Sequence, residues 1–166
     1  AFMRYIPNMV VGSPMNEAEM RNMMFTAQLP DQGRFTIRYP RGQGVIVDWK
    51  TPMKEMKVGT GRKVCGGEDV AILSLGHIGN KAIEACALLE EQGISAAHYD
   101  MRFVKPLDKE LLQQLLTQHS SIVTIEDHSI IGGAGSAVGE WLAQQSTPTK
   151  LLCLGHEDAA LPHGSR

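Results

Sequence analysis

The fold class this sequence predicts is α/β with a mostly parallel sheet, and three features of the chain predict it. From residue 69 onward, short apolar runs alternate with amphipathic stretches of about ten to fourteen residues, the pattern of successive βαβ units. Glycine turns stand between strand and helix at "GHIGN" (76–80) and "GGAGS" (132–136). A further strand–helix–strand pattern, opened by a helix-capping signal, precedes this regular part.

In chain order, "NMVVGSP" (8–14) reads as a short apolar strand, and Asn16 with Glu19 three residues later reads as a capping box. A helix over 17–28 follows, with Met20, Met23, Met24 and Ala27 on one apolar face; the methionines read as core filler. "PDQG" (30–33) is a turn and "RFTIRYP" (34–40) the next strand. From Gly42 to Glu68 the composition shifts to Gly, Lys, Pro and Thr, with β-like pieces at 44–47 and 56–64, and reads as a linker. "DVAILSLG" (69–76) is a buried strand, 80–93 an amphipathic helix stopped by Gly93, and "ISAAHYD" (94–100) a strand. The alternation continues with helix 107–119, strand 121–127, helix 135–145 and strand 149–155.

The 166 residues are 43% hydrophobic, enough for a substantial core, and no stretch approaches a membrane span. A formal charge of -2, with 16 scattered basic residues, argues against nucleic acid or an anionic membrane as partner. Cys65, Cys86 and Cys153 have neither disulfide-framework nor metal-ligand spacing; they read as buried, inert thiols in a reducing cytoplasm. The chain opens and closes mid-pattern, which reads as a fragment.

In a parallel sheet, chemistry gathers where strands end. Those positions hold Gly76-His77-Ile78-Gly79, Asp100-Met101-Arg102, Glu126-Asp127-His128 and Gly155-His156-Glu157-Asp158. Three histidines and several carboxylates meet there, but no spacing matches a metal-ligand set, and no metal is assigned. The two glycine turns could hold an anion at a helix N-terminus or serve only as tight turns; neither is a dinucleotide or P-loop fingerprint. Ser136 does not stand in a nucleophile elbow. These readings define an α/β domain with a part-domain before it and no activity.

Together, "AFMRYIPNMVVGSP", "RYPRG" (38–42), "DMRFVKPLD" (100–108), "EDHSIIGGAGSAVGEWL" (126–142) and "LPHGS" (161–165) resemble the C-terminal portion of the 1-deoxy-D-xylulose-5-phosphate synthase family. These are transketolase-like, thiamine-diphosphate-dependent enzymes. The resemblance implies three parts: residues 1–50 as the second half of a pyrimidine-binding domain, 51–68 as linker, and 69–166 as a transketolase C-terminal-like domain. It implies a transferase that joins pyruvate to glyceraldehyde 3-phosphate with loss of carbon dioxide, supplying isoprenoid, thiamine and pyridoxal precursors. Thiamine diphosphate and Mg²⁺ would serve the full-length cytoplasmic homodimer. Arg41, the second arginine of "RYPRG", would bind the substrate phosphate, with Pro40 setting the turn and Gly42 letting the backbone pass close by. Arg38 would pair with a carboxylate or support the site. No catalytic residue is expected among these residues, and the fragment alone is expected to be inactive and to bind no cofactor. Two alternatives stay open. One is another enzyme of the superfamily, a transketolase or a 2-oxoacid dehydrogenase β subunit; the other is a non-catalytic oligomerisation or ligand-binding module with its anion site at the glycine turns.

Overall fold

The computed structural model describes residues 2–46 and 49–159, folded around two sheets; the "LPHGS" segment lies outside the described residues. A single helical turn, α1 (Phe2–Tyr5), leads into β1 (Met9–Gly12), α2 (Glu17–Ala27) and β2 (Arg34–Ile37). β1 and β2 pair in parallel, with Val10 opposite Phe35 and Gly12 opposite Ile37. The third strand of this sheet comes from far along the chain: β6 (Phe103–Lys105) lies antiparallel on β1. Three residues are too few for a readable alternation, and β6 has no counterpart among the strands expected from the sequence.

α2 begins where the capping signal places it, the Asn16 Oδ1 accepting from the Glu19 N–H at 3.0 Å. Glu19 does not close the box on Asn16. Its carboxylate stands 3.4 Å from the Met15 N–H and is drawn to Arg102. The helix buries Glu19, Met23 and Thr26, while Met24 is 47% exposed, so the methionine face is only half in the core. Thr26 is inside because its hydroxyl donates to the Asn22 carbonyl and accepts from the Met56 N–H, both at 2.8 Å. Met56 thereby joins Met23 and Phe103 in a core that also takes Val10, Phe35 and Ile37.

The span expected to be a linker carries structure of its own. β3 (Arg62–Cys65) pairs antiparallel with β5 (Ala96–Asp100) at the edge of the second sheet. Residues 44–46, by contrast, form no strand: the Val45 and Ile46 N–H groups donate to the Glu17 carboxylate at 2.9 and 3.1 Å.

The second sheet has the order β3-β5-β4-β7-β8, adding β4 (Val70–Leu75), β7 (Ser121–Ser129) and β8 (Lys150–His156). All neighbours but β3 and β5 are parallel. The pleat sends alternate residues to opposite faces. Ala71, Leu73, Ala97, Tyr99 and Ile122 pack with α4 (Lys109–Gln118) and α5 (Ala134–Leu142) through Leu112, Leu115, Val138 and Trp141. Ile72 and Ala96 pack on the other side with Ala82, Cys86 and Leu89 of α3 (Gly79–Glu91). The expected mostly parallel sheet, covered on both faces, is the one observed.

Candidate functional site

The "RYPRG" segment leaves β2 as a turn anchored at its first residue. The Arg38 N–H donates to the Gly12 carbonyl at 2.9 Å, and the Ser13 hydroxyl donates to the Arg38 carbonyl at 2.8 Å. The Arg38 guanidinium crosses to the second sheet and donates to the backbone carbonyl of Asp127. Arg38 therefore ties the two sheets together through a main-chain oxygen, where a carboxylate was one expectation. Three residues on, Arg41 is exposed. Tyr39, Pro40 and Gly42 border a cavity of about 390 Å³ shared with Pro14, Met20, Trp49 and His77. Gly42 is required for conformation and not for close approach: its φ is +152°, and a Cβ there would meet nothing within 4 Å.

The histidines expected at the strand ends divide. His156 holds the Asp127 carboxylate at 2.9 Å, and His77, from the turn between β4 and α3, approaches its other oxygen at 3.9 Å. His128 instead contacts the Ser129 carbonyl through Nδ1 at 3.1 Å. A second cleft of about 330 Å³ runs between Arg38, Asp127, His128 and His156. β7 deviates here, its register on β8 shifting between Ile125 and Ser129, so Asp127 lies in an irregular stretch at the sheet's end. Gly155 permits it; a Cβ there would stand 2.7 Å from the His128 carbonyl.

Sequence reasoning missed a charged network between α2 and the second sheet. Glu19, nearly buried, takes Arg102 at 2.7 Å and Arg62 at 3.3 Å. Arg62 also faces the fully buried Asp100 at 3.4 Å. Burial pushes the Asp100 carboxyl up to about 7; the Glu19 carboxylate beside it adds to the rise, against the Arg102 N–H and the Arg62 guanidinium. His98, two residues earlier on β5 and also fully buried, is driven down to about 4 by burial and by Arg62, while its Nε2 shares a 2.7 Å hydrogen bond with Ser74 Oγ. Glu19 and Asp100-Met101-Arg102 were visible as a capping residue and a strand end. Nothing local showed that they would meet.

The "GGAGS" turn is occupied by the protein itself. Glu126 accepts from the Ala134 and Gly135 N–H groups at 2.8 and 3.0 Å, filling the N-terminus of α5 with an internal anion. Ser136 accepts from the Gly132 N–H and donates to the Ile130 carbonyl, and Arg4 reaches the Gly132 carbonyl at 3.2 Å. The three cysteines are half-buried free thiols; burial, with Cys65 alongside, raises Cys86 to about 11. Among the described residues no group of three or more His, Cys, Asp or Glu could hold a metal ion. With α5 capped internally as well, its N-terminus is not open to a diphosphate.

The layered fold matches a known architecture. Residues 59–166 match the family Transketolase, C-terminal domain, and the chain belongs to that family. More particularly, the chain is similar to 1-deoxy-D-xylulose-5-phosphate synthases. It is 54% identical to that of Cytophaga hutchinsonii over 100% of this chain, and 52% identical to that of Bacteroides thetaiotaomicron over 99% of it. In both cases it covers 26% of the relative's length, so the chain spans about a quarter of the curated relatives it matches. Among solved structures, a split-gene transketolase described as an inactive β4 tetramer superimposes with a TM-score of 0.82 at 36% identity, over 94% of this chain and 51% of that one. A transketolase mutant from Pichia stipitis, at 18% identity and a TM-score of 0.61 over 93% of this chain and 22% of that one, shares the fold.

Proposed function

We propose that the chain is the C-terminal part of a 1-deoxy-D-xylulose-5-phosphate synthase, a transferase that condenses pyruvate with glyceraldehyde 3-phosphate and releases carbon dioxide. The observation that carries this reading is the identity to such synthases along essentially the whole chain. Residues 1–50 then complete a pyrimidine-binding domain, 51–68 link it onward, and 69–166 form the C-terminal domain. Thiamine diphosphate would supply the decarboxylation chemistry, held with Mg²⁺ by residues outside this chain. The isolated chain, lacking them, would not turn over. Assembly as a cytoplasmic homodimer is part of the same reading, and Leu152 and Leu154, exposed on the edge strand β8, offer apolar surface for contact. Among the described residues no helix is long and apolar enough to cross a membrane.

Within this reading Arg41 binds the phosphate of glyceraldehyde 3-phosphate. It is a cation on a proline-containing turn beside a cavity, with its strand anchored immediately before it. In the full-length enzyme, Arg41→Ala should raise KM for glyceraldehyde 3-phosphate tenfold or more and leave that for pyruvate nearly unchanged, since a charge-assisted contact is worth about 1.5–3 kcal/mol. Steady-state kinetics with each substrate varied in turn checks this; equal shifts would make Arg41 structural. The module with an anion site at "GGAGS" meets Glu126 already seated there.

A further inference from the structure

We propose that Asp127, held by His156 and faced by His77, is a positioning residue that anchors Arg38 and thereby aims Arg41 at the substrate phosphate; this rests on the reading of Arg41 just given. Asp127 lies where β7 loses its register with β8, so regular strand pairing does not by itself direct its peptide group. Its carboxylate takes over that task. His156 at the end of β8 grips one oxygen at 2.9 Å, and His77, after β4, stands 3.9 Å from the other. The carbonyl of the same residue accepts from the Arg38 guanidinium. The backbone of Arg38 is fixed separately, to Gly12 and Ser13 of the first sheet. Only Tyr39 and Pro40 separate it from Arg41, and Pro40 restricts the path between them. A carboxylate between two imidazoles thus joins three strand ends of the second sheet to the last anchored point before the phosphate-binding turn. His77 also borders the cavity beside that turn, so the anchor and the substrate side of the turn share a wall.

The test uses the intact enzyme. Asp127→Asn preserves shape and removes the charge. It should raise KM for glyceraldehyde 3-phosphate about 3- to 10-fold, with KM for pyruvate and kcat changing less than about twofold. Added to Arg41→Ala, it should cause no further rise, because it acts through Arg41. His156→Gln, a milder change at the surface of the cluster, should shift the same KM in the same direction and serves if Asp127→Asn does not fold. An unchanged KM for glyceraldehyde 3-phosphate, equal shifts for both substrates, or an additive rise on the Arg41→Ala background would each overturn the positioning role. If Arg41→Ala itself leaves that KM unmoved, the phosphate reading falls, and this inference with it; a silent Asp127→Asn beside a strong Arg41→Ala removes this inference alone.

Discussion

Asp100 and His98 sit two residues apart on β5, both fully buried, and desolvation favours the neutral form of each. The consequences for stability run in opposite directions. With its carboxyl raised from 3.8 to about 7, Asp100 holds its proton when folded, so its contribution is full at low pH and is lost as pH rises through that window. With its imidazole lowered from 6.5 to about 4, His98 is bound more weakly by protons when folded, so its contribution is full above that window and is lost as pH falls through it. From about pH 4 to 6.5 the two offset each other. Asp100→Asn should unmask His98: urea-unfolding midpoints of the variant should climb with pH across that interval, where the parent stays nearly level. A level profile in the variant would mean that His98 is not held neutral. Neither shift was legible in "ISAAHYD", where the two residues look like ordinary alternating positions on a strand. Their burial depends on β3 pairing along β5, on α3 packing against that strand, and on Glu19 of α2 approaching Asp100.

At the level of elements, periodicity and caps were dependable where the partner surface was local. Asn16 starts α2, and apart from β6 the alternation from residue 69 onward became strands and helices in the expected order. What failed were details imposed from a distance. Met24 points outward while Thr26, recruited by the Met56 backbone, points in. The piece at 44–46 gives its N–H groups to Glu17 and not to a sheet. The β7–β8 crossing is likewise a product of contact, and it rests on Gly155. Gly155→Ala should cost about 1–3 kcal/mol through backbone overlap. Gly139→Ala is the control: its Cβ would meet only the movable Leu151 Cδ2 at 3.3 Å, inside a helix that favours alanine. Comparing urea midpoints for the two variants checks the difference, and equal midpoints would count against the close approach at His128.

Across the whole molecule, the sequence boundary between part-domain and domain is crossed repeatedly by structure. β6 follows β5 in the chain yet completes the first sheet, and Glu19 of α2 meets Arg62 and Arg102 of the other half. Arg38 makes the same crossing at the strand ends. The halves are therefore tied together at the strand ends, three positions before the exposed Arg41. In the proposed reading, the diphosphate site of thiamine diphosphate lies in residues outside this chain. Calorimetric titration of the isolated chain with thiamine diphosphate and Mg²⁺ should show no binding at micromolar cofactor; micromolar affinity would overturn the assignment of that site to residues elsewhere.

The sequence by itself determined the alternating α/β order, the cap of α2, the strand-end positions of His77, Asp127 and His156, and the "RYPRG" turn with its two arginines. Each depends on local backbone preference or a two- or four-residue period, which a single segment displays. Only the tertiary structure decided that Asp127 would be gripped by His156 and would receive Arg38, that Glu126 would cap α5, and that β6 would leave its neighbours for the first sheet. Those pairings join residues far apart in the chain, and their choice depends on which buried donor, acceptor or charge must be satisfied once the two sheets pack together.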